Sequence, residues 1–204
     1  MQGPLRLLPL LAAALLLAGC SGLRVVESQV RATPTAAAAT IEPGARYRFE
    51  RLPSQTDPVE NDSVDAIAEA ELGAVGLVHD EAAARYSVQI SSRMQPYTVD
   101  EWGRPYDGSR VGGTIVIGTG GVIYGPGSMI GMNMRFPPAT QYRHEVTVLL
   151  RELASNQIVY ETSATHEGPW ADRYNILRAT LAAALKDFPH PPAGTRRVKV
   201  EIPR

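Results

Sequence analysis

The sequence contains almost no cysteine: Cys20 is the only one in 204 residues. A single cysteine cannot form a disulfide within the chain, so stability has to come from packing. Long apolar runs are also missing, because the run Leu7 to Leu17 is interrupted by Pro9. A membrane-spanning helix takes roughly 20 apolar residues, which excludes this run as a transmembrane segment.

Neither sign of charge is in excess, since the sequence has 20 lysines and arginines and 21 aspartates and glutamates. This balance gives no reason to propose binding to nucleic acid, and we expect none. The four histidines are His79, His144, His166 and His190, and no two have the i, i+4 spacing of a helical metal pair. We therefore expect no metal and no cofactor.

The N-terminus has the parts of a secretory signal, with Arg6, a short apolar middle and small residues before Cys20. The sequence Leu17-Ala18-Gly19-Cys20 looks like a lipobox, which predicts removal of residues 1–19 and acyl chains on Cys20. Each buried methylene contributes about 0.8 kcal/mol, so two or three chains would hold the protein on a membrane. Ser21 follows the cysteine, and resemblance to Gram-negative lipoproteins implies the outer membrane, with the domain facing the periplasm.

Residues 20–44 are predicted to be the lipidated cysteine and a tether. Within it, the β-branched residues of 24–30 favour a first strand, and residues 33–40 are typical of a flexible spacer. Residues 45–190 are predicted to form one domain. Residues 191–204 alternate in polarity and are either an edge strand or an arm for a partner.

Within the predicted domain, apolar spacing indicates two helices and at least four strands. Val64, Ile67, Ala68, Leu72 and Val75 recur at helical spacing after a cap at Asn61 or Asp62. A second helix is predicted over residues 171–187, and strands are predicted at 47–49, 86–91, 145–150 and 158–160. The order predicts an α+β fold, in which two helices pack on one face of a single mixed or antiparallel sheet.

Residues 93–140 are polar and then rich in glycine, and they form either strands or a mobile loop. Trp102, Arg104 and Tyr106 lie in this stretch. Aromatic side chains beside an arginine suit a protein or glycan contact, although packing back onto the sheet is an equal alternative. These three residues are the candidate interaction surface.

Catalytic patterns are weak throughout the sequence. His166 and Glu167 are adjacent at the start of the last helix and form the most tempting acid–base pair. Neither a nucleophile nor an orienting third group accompanies them. His144 lies on the same face of the predicted strand as the core residues Val146 and Val148, which favours a structural role for this histidine.

Three segments carry a resemblance: residues 47–76, residues 86–90, and residues 158–164 with the helix that follows. Together they resemble the bacterial envelope lipoprotein family catalogued as domain of unknown function 4136, over residues 45–190. The resemblance implies an exported single domain with this element order. It supplies no catalytic residues.

The leading hypothesis is a membrane-anchored envelope lipoprotein that binds or scaffolds an envelope protein or glycan without catalysis. Its surface would be the 93–140 region or the C-terminal tail. One alternative is a hydrolase of envelope polymer that uses His166 and Glu167. Another is a small-ligand carrier with a deep apolar pocket under residues 112–131.

Overall fold

The fold is described from a computed structural model, which covers residues 22–53, 55, 57–100, 103–105 and 139–203. It is α+β, as predicted, with one sheet and two helices. The elements in chain order are β1 Leu23–Pro34, a 3₁₀ helix Ala36–Thr40, β2 Arg46–Phe49, α1 Pro58–Ala74, β3 Val78–His79, β4 Tyr86–Val99, β5 Ala139–Glu152, β6 Gln157–Gly168, α2 Arg173–Leu185 and β7 Thr195–Pro203.

The seven strands form one mixed sheet in the order β3-β2-β4-β5-β6-β1-β7. β2 is parallel to β3 and β4, and the other neighbours are antiparallel. β1 therefore lies inside the sheet, between β6 and β7. The predicted strand at 24–30 is present and longer than expected, and the C-terminal segment takes the edge-strand alternative.

Alternation along the strands separates the two faces of the sheet. Even-numbered residues of β1, β4, β5, β6 and β7 point towards the helices and are mostly buried. We call the opposite side, formed by the odd-numbered residues of the same strands, the solvent face. The main core joins Val88, Val148 and Leu150 of the sheet to Leu72 of α1 and Leu181 of α2.

The two helices run side by side, and both begin at the same end of the sheet. Arg24 of β1 contacts Asp172, the cap of α2, at 3.3 Å. Arg173 then pairs with Glu60 in the first turn of α1. We call this end the Leu23 end: it carries the starts of β1, β5, α1 and α2 and the ends of β4, β6 and β7.

The other end of the domain carries the turn between β5 and β6 and the last turn of α2. Leu150 is paired with Tyr160 there, and the Tyr160 ring meets Phe188 at 4.9 Å. β3 and the start of β4 lie at this end as well. We call it the Tyr160 end.

Two sequence expectations are wrong in detail, and one open alternative is resolved. The predicted flexible spacer at 33–40 is ordered, because Ala38 is fully buried in a 3₁₀ helix and Thr35 bonds Val159. The first helix is capped by Asp57, a turn before the predicted Asn61 or Asp62, because Pro58 at the first position starts it there. In residues 93–99, where strands and a mobile loop were both left open, the structure has the strand alternative, because β4 continues to Val99.

Candidate functional site

Of the residues singled out from the sequence, Cys20, Trp102 and Tyr106 lie outside the described residues. Arg104 lies in a tight turn that follows β4. Its backbone N–H and its guanidinium both donate to the carboxylate of Asp100, at 2.9 Å each. Gly103 has a φ of 75°, which glycine adopts without strain. Arg104 thus helps to hold this turn, at the Leu23 end, while its side chain stays largely exposed.

The predicted pair of His166 and Glu167 is not brought together. Successive residues of a strand point to opposite faces, so His166 of β6 faces the helices and Glu167 lies on the solvent face. His166 is 4% exposed, and its Nδ1 donates to the carbonyl of Glu27 at 2.8 Å. Glu167 accepts instead from Arg143 at 2.7 Å. The acid–base interpretation of this pair is therefore wrong.

His144 has the structural role that its parity predicts. Its side chain is buried beside His166, with 6.3 Å between the ring centroids, and its Nε2 donates to the carbonyl of Trp170 at 3.4 Å. Burial lowers the pKa of His144, although the hydrogen bond to Trp170 opposes this effect. The Trp170 ring stacks on His166 at 6.0 Å. These rings close the core at the Leu23 end.

The solvent face carries a band of paired charges near the Leu23 end. Arg143 and the Tyr97 hydroxyl both donate to Glu167, and the Arg143 guanidinium lies 5.8 Å from the centre of the Tyr97 ring. On β1, the strand next to β6, Glu27 contacts Arg197 and Lys199 of β7 at 3.5 Å and 3.4 Å. Cross-strand neighbours of opposite charge stabilise a sheet modestly while they remain open to a ligand.

A shallow depression of about 420 Å³ lies between these two charge clusters. It is lined by Glu27, Gln29, Thr165, Glu167 and Arg197. Both carboxylates and a guanidinium border it, together with hydroxyl and amide groups. Such a surface offers both hydrogen-bond donors and hydrogen-bond acceptors, as protein and glycan partners require. The alternation in the sequence predicts that these residues lie on the polar faces of their strands. It does not predict that β1, β6 and β7 are neighbours, which the strand order shows.

A second cleft, of about 360 Å³, lies between the first turn of α1 and the middle of β4. Three of its acidic side chains already have protein partners. Asp57 caps α1, Glu60 pairs with Arg173, and Asp65 pairs with Arg51. Burial raises the pKa of Asp65, and Arg51 opposes that rise. Sequence reasoning missed this cleft because Arg51 and Asp65 belong to different elements.

Metal-binding potential and membrane-spanning potential can be checked over the described part of the chain. There, no three histidine, cysteine or acidic side chains are grouped closely enough to hold a metal ion. Within the same ranges, no helix has the length and apolar character needed to cross a membrane. The apolar pocket expected under residues 112–131 falls outside these ranges.

Comparison with known proteins gives distant structural relatives. The PelC dodecamer of Paraburkholderia phytofirmans, solved in two crystal forms, is 15% identical, with a TM-score of 0.44. The match covers 78% of this chain and 94% of that one. A PDZ domain protein of Parabacteroides distasonis is 12% identical, with a TM-score of 0.50, over 93% of this chain and 41% of that one. At 12% identity the likeness to the PDZ domain protein shows the fold alone.

No curated protein matches the sequence. A protein-family model does match, and it covers residues 33–190, the greater part of the chain. The matched range contains β2 to β6 and both helices, in the order that the sequence analysis associates with this family. The chain therefore belongs to the family described as Domain of unknown function (DUF4136).

Proposed function

We propose that the protein is an envelope lipoprotein, held on the outer membrane by acyl chains on Cys20, whose domain binds another envelope component without catalysis. The lipobox Leu17-Ala18-Gly19-Cys20 supports the anchor. The partner would be an envelope protein or a glycan, met on the periplasmic side. Membership in a family of unknown function adds no activity to this proposal.

The solvent face of the sheet is the observation that carries the binding part of the proposal. Both helices pack on the other face, so among the described residues no element covers this one. Its exposed arginines, glutamates and lysine are spread over neighbouring strands and are held in pairs, such as Arg143 with Glu167. A broad, polar and largely rigid surface suits recognition of a partner more than enclosure of a small substrate.

The anchor is tested by comparing the native protein with a Cys20→Ala variant. We expect the native chain to begin at Cys20, to carry acyl mass and to sediment with outer membrane, and the variant to lose both properties. Intact-mass measurement and membrane fractionation provide the readouts. A native protein without acyl mass would overturn the lipoprotein assignment.

The binding surface is tested with a photo-crosslinking residue at Thr165, in the centre of the solvent face. The matched control places the same residue at Arg178, on the exposed side of α2. We expect a discrete, stoichiometric adduct from position 165 in cells and none from position 178. Equal labelling from both positions, or none from either, would contradict a partner on this face.

The 93–140 region remains the second candidate surface, and it is tested by a variant with alanine at Trp102, Arg104 and Tyr106. If the adduct from position 165 survives these substitutions, these three residues do not hold the partner. Loss of the adduct while the domain still melts cooperatively would move the interaction surface to this region.

A further inference from the structure

The exposed apolar side chains of the domain concentrate at the Leu23 end. Among the described residues, seven large apolar side chains are exposed, and four of them lie where β1, α1 and α2 begin. Leu23 and Val25 start β1, Val59 lies in the first turn of α1, and Tyr174 lies in the first turn of α2. Val59 is the most exposed of them, at 73%. Clustered exposed apolar groups mark contact surfaces, whereas scattered ones need no explanation.

Tyrosine and tryptophan show the same asymmetry. In the described ranges, Tyr47, Tyr86 and Tyr160 are buried. The partly or fully exposed members of this class all lie at the Leu23 end; they are Tyr97, Tyr142, Trp170 and Tyr174. Their rings are apolar and carry a polar tip, so these two residue types are enriched where hydrocarbon meets water.

The distance along the chain from Cys20 to the fold is very short. β1 begins at Leu23, three residues after the predicted lipid attachment site. A fully extended chain spans at most about 3.3–3.6 Å per residue, so Leu23 can stand no more than about 11 Å from Cys20. Strand β1 is fixed inside the sheet by β6 and β7. An acylated Cys20 would therefore hold the Leu23 end nearest the bilayer.

The two arginines where β1 and α2 begin are paired with acidic side chains of the protein. Arg24 contacts Asp172 and lies 5.1 Å above the Trp170 ring, and Arg173 pairs with Glu60. Internal pairing leaves little net field to attract anionic lipid headgroups. Contact with a membrane would depend on apolar and aromatic groups, and it should be insensitive to salt.

We propose that the Leu23 end of the domain contacts the lipid bilayer surface, with Leu23, Val25, Val59 and Tyr174 at the headgroup level. This inference rests on the proposed lipid anchor and adds the orientation of the domain. The strands then run roughly along the membrane normal. The solvent face is thereby turned sideways, where a partner on the same membrane can reach it.

The test uses the full-length acylated protein in phosphatidylethanolamine–phosphatidylglycerol vesicles that contain a spin-labelled lipid quencher. Val25→Cys and Val59→Cys place a fluorophore at the Leu23 end. Val78→Cys and Ile158→Cys place it at the Tyr160 end, and these positions are also exposed aliphatic residues. We expect a severalfold greater loss of fluorescence at positions 25 and 59 than at 78 and 158, unchanged in high salt.

The outcomes separate this inference from the anchor. If the protein floats with the vesicles but the four labels are quenched alike, or 78 and 158 more, the orientation is wrong while the anchor stands. Labels at 25 and 59 that are shielded from water but not quenched would indicate a protein neighbour, which overturns the lipid assignment. A protein that carries no acyl mass and does not float would overturn both proposals.

Discussion

His144 and His166 lie side by side on the helix face of β5 and β6, and each has a hydrogen bond to a backbone carbonyl. The Nε2 atom of His166 is buried and has no hydrogen-bond partner among the described residues. A buried polar atom of this kind costs stability, and burial opposes protonation of the neighbouring His144 ring. At the residue scale, His144 makes the Leu23 end sensitive to acid.

The stability of the domain should therefore fall as the pH drops below about 6.5. Burial lowers the pKa of His144 from its ordinary value of 6.5, and His166 and Arg173 lower it further. Asp172 and the Trp170 carbonyl act in the opposite direction. The unfolded chain binds a proton at position 144 at a higher pH than the folded chain does, so acid favours unfolding.

Thermal unfolding between pH 8 and pH 5 checks this prediction. The midpoint of the wild type should fall more steeply below pH 6.5 than that of His144→Gln. His190→Gln, which removes an exposed histidine, should follow the wild type. Identical slopes for the wild type and His144→Gln would show that this histidine does not contribute to acid sensitivity.

The second prediction at this scale concerns the stability of a variant at Gly168, near the end of β6. A Cβ atom added there would lie 2.9 Å from His166 Nε2, and the ring cannot easily retreat because Trp170 stacks on it. Gly168→Ala should lower the free energy of unfolding by about 1–3 kcal/mol. Gly73→Ala is the matched control, since nothing lies within 4 Å of its added Cβ and alanine favours the helix by roughly 0.5–1 kcal/mol. Urea titration should give changes of opposite sign.

At the element scale, the start of α1 shows what a sequence pattern can miss. Asp57 accepts hydrogen bonds from the backbone N–H groups of Val59 and Glu60. The first buried residue of the apolar stripe is Val64, so the pattern pointed to Asn61 or Asp62 as the cap. The first turn precedes the stripe because its residues meet solvent and α2 instead of the sheet.

The two aspartates give a direct comparison. Asp57→Ala should cost about 1 kcal/mol of stability, because two backbone donors lose their acceptor. Asp62→Ala should cost little stability, since the Asp62 side chain is 82% exposed and its contact with Arg51 is long, at 3.9 Å. Chemical denaturation of both variants is the measurement. A larger loss for Asp62→Ala would place the cap where the sequence pattern predicted it.

Strands and helices were predictable here where apolar residues alternate or recur over five or more positions. Strands β4 and β5, the alternating tail and both helices follow from such patterns, and so does the α+β class. Strand β6 was predicted only from the short apolar run at residues 158–160, after a turn. The pairing of the strands was not predictable, because alternation shows which face of a strand is buried and does not show which strands lie beside it. The interior place of β1 and the depression lined by Thr165 and Arg197 both depend on pairing.

At the scale of the whole molecule, the sheet extends beyond the family match. That match covers residues 33–190, which excludes β7 and nearly all of β1. Val26 and Val30 of β1 are fully buried, and Val198 and Ile202 of β7 are nearly so. The terminal strands thus contribute to the core as well as to the sheet.

A protein of residues 22–204 should therefore melt cooperatively, whereas one of residues 33–190 should not. Without β1, strand β6 loses one of its two neighbours, and α2 loses part of the surface on which it packs. Circular dichroism during heating, with analytical ultracentrifugation to detect aggregation, distinguishes the two forms. A cooperative transition in the shorter protein at the same temperature would mean that the terminal strands are accessory.

The pairing of the first strand with the last also affects how the chain folds. Leu23 is registered with Pro203, and this ladder continues to Arg31 with Thr195. Contacts between residues so distant in sequence close large loops, which raises the contact order and slows folding. A nascent chain cannot complete this sheet until residues 195–203 have been made. The domain should thus remain open until then, which would favour the export proposed above, because an unfolded chain passes through a narrow translocation channel more readily than a folded one.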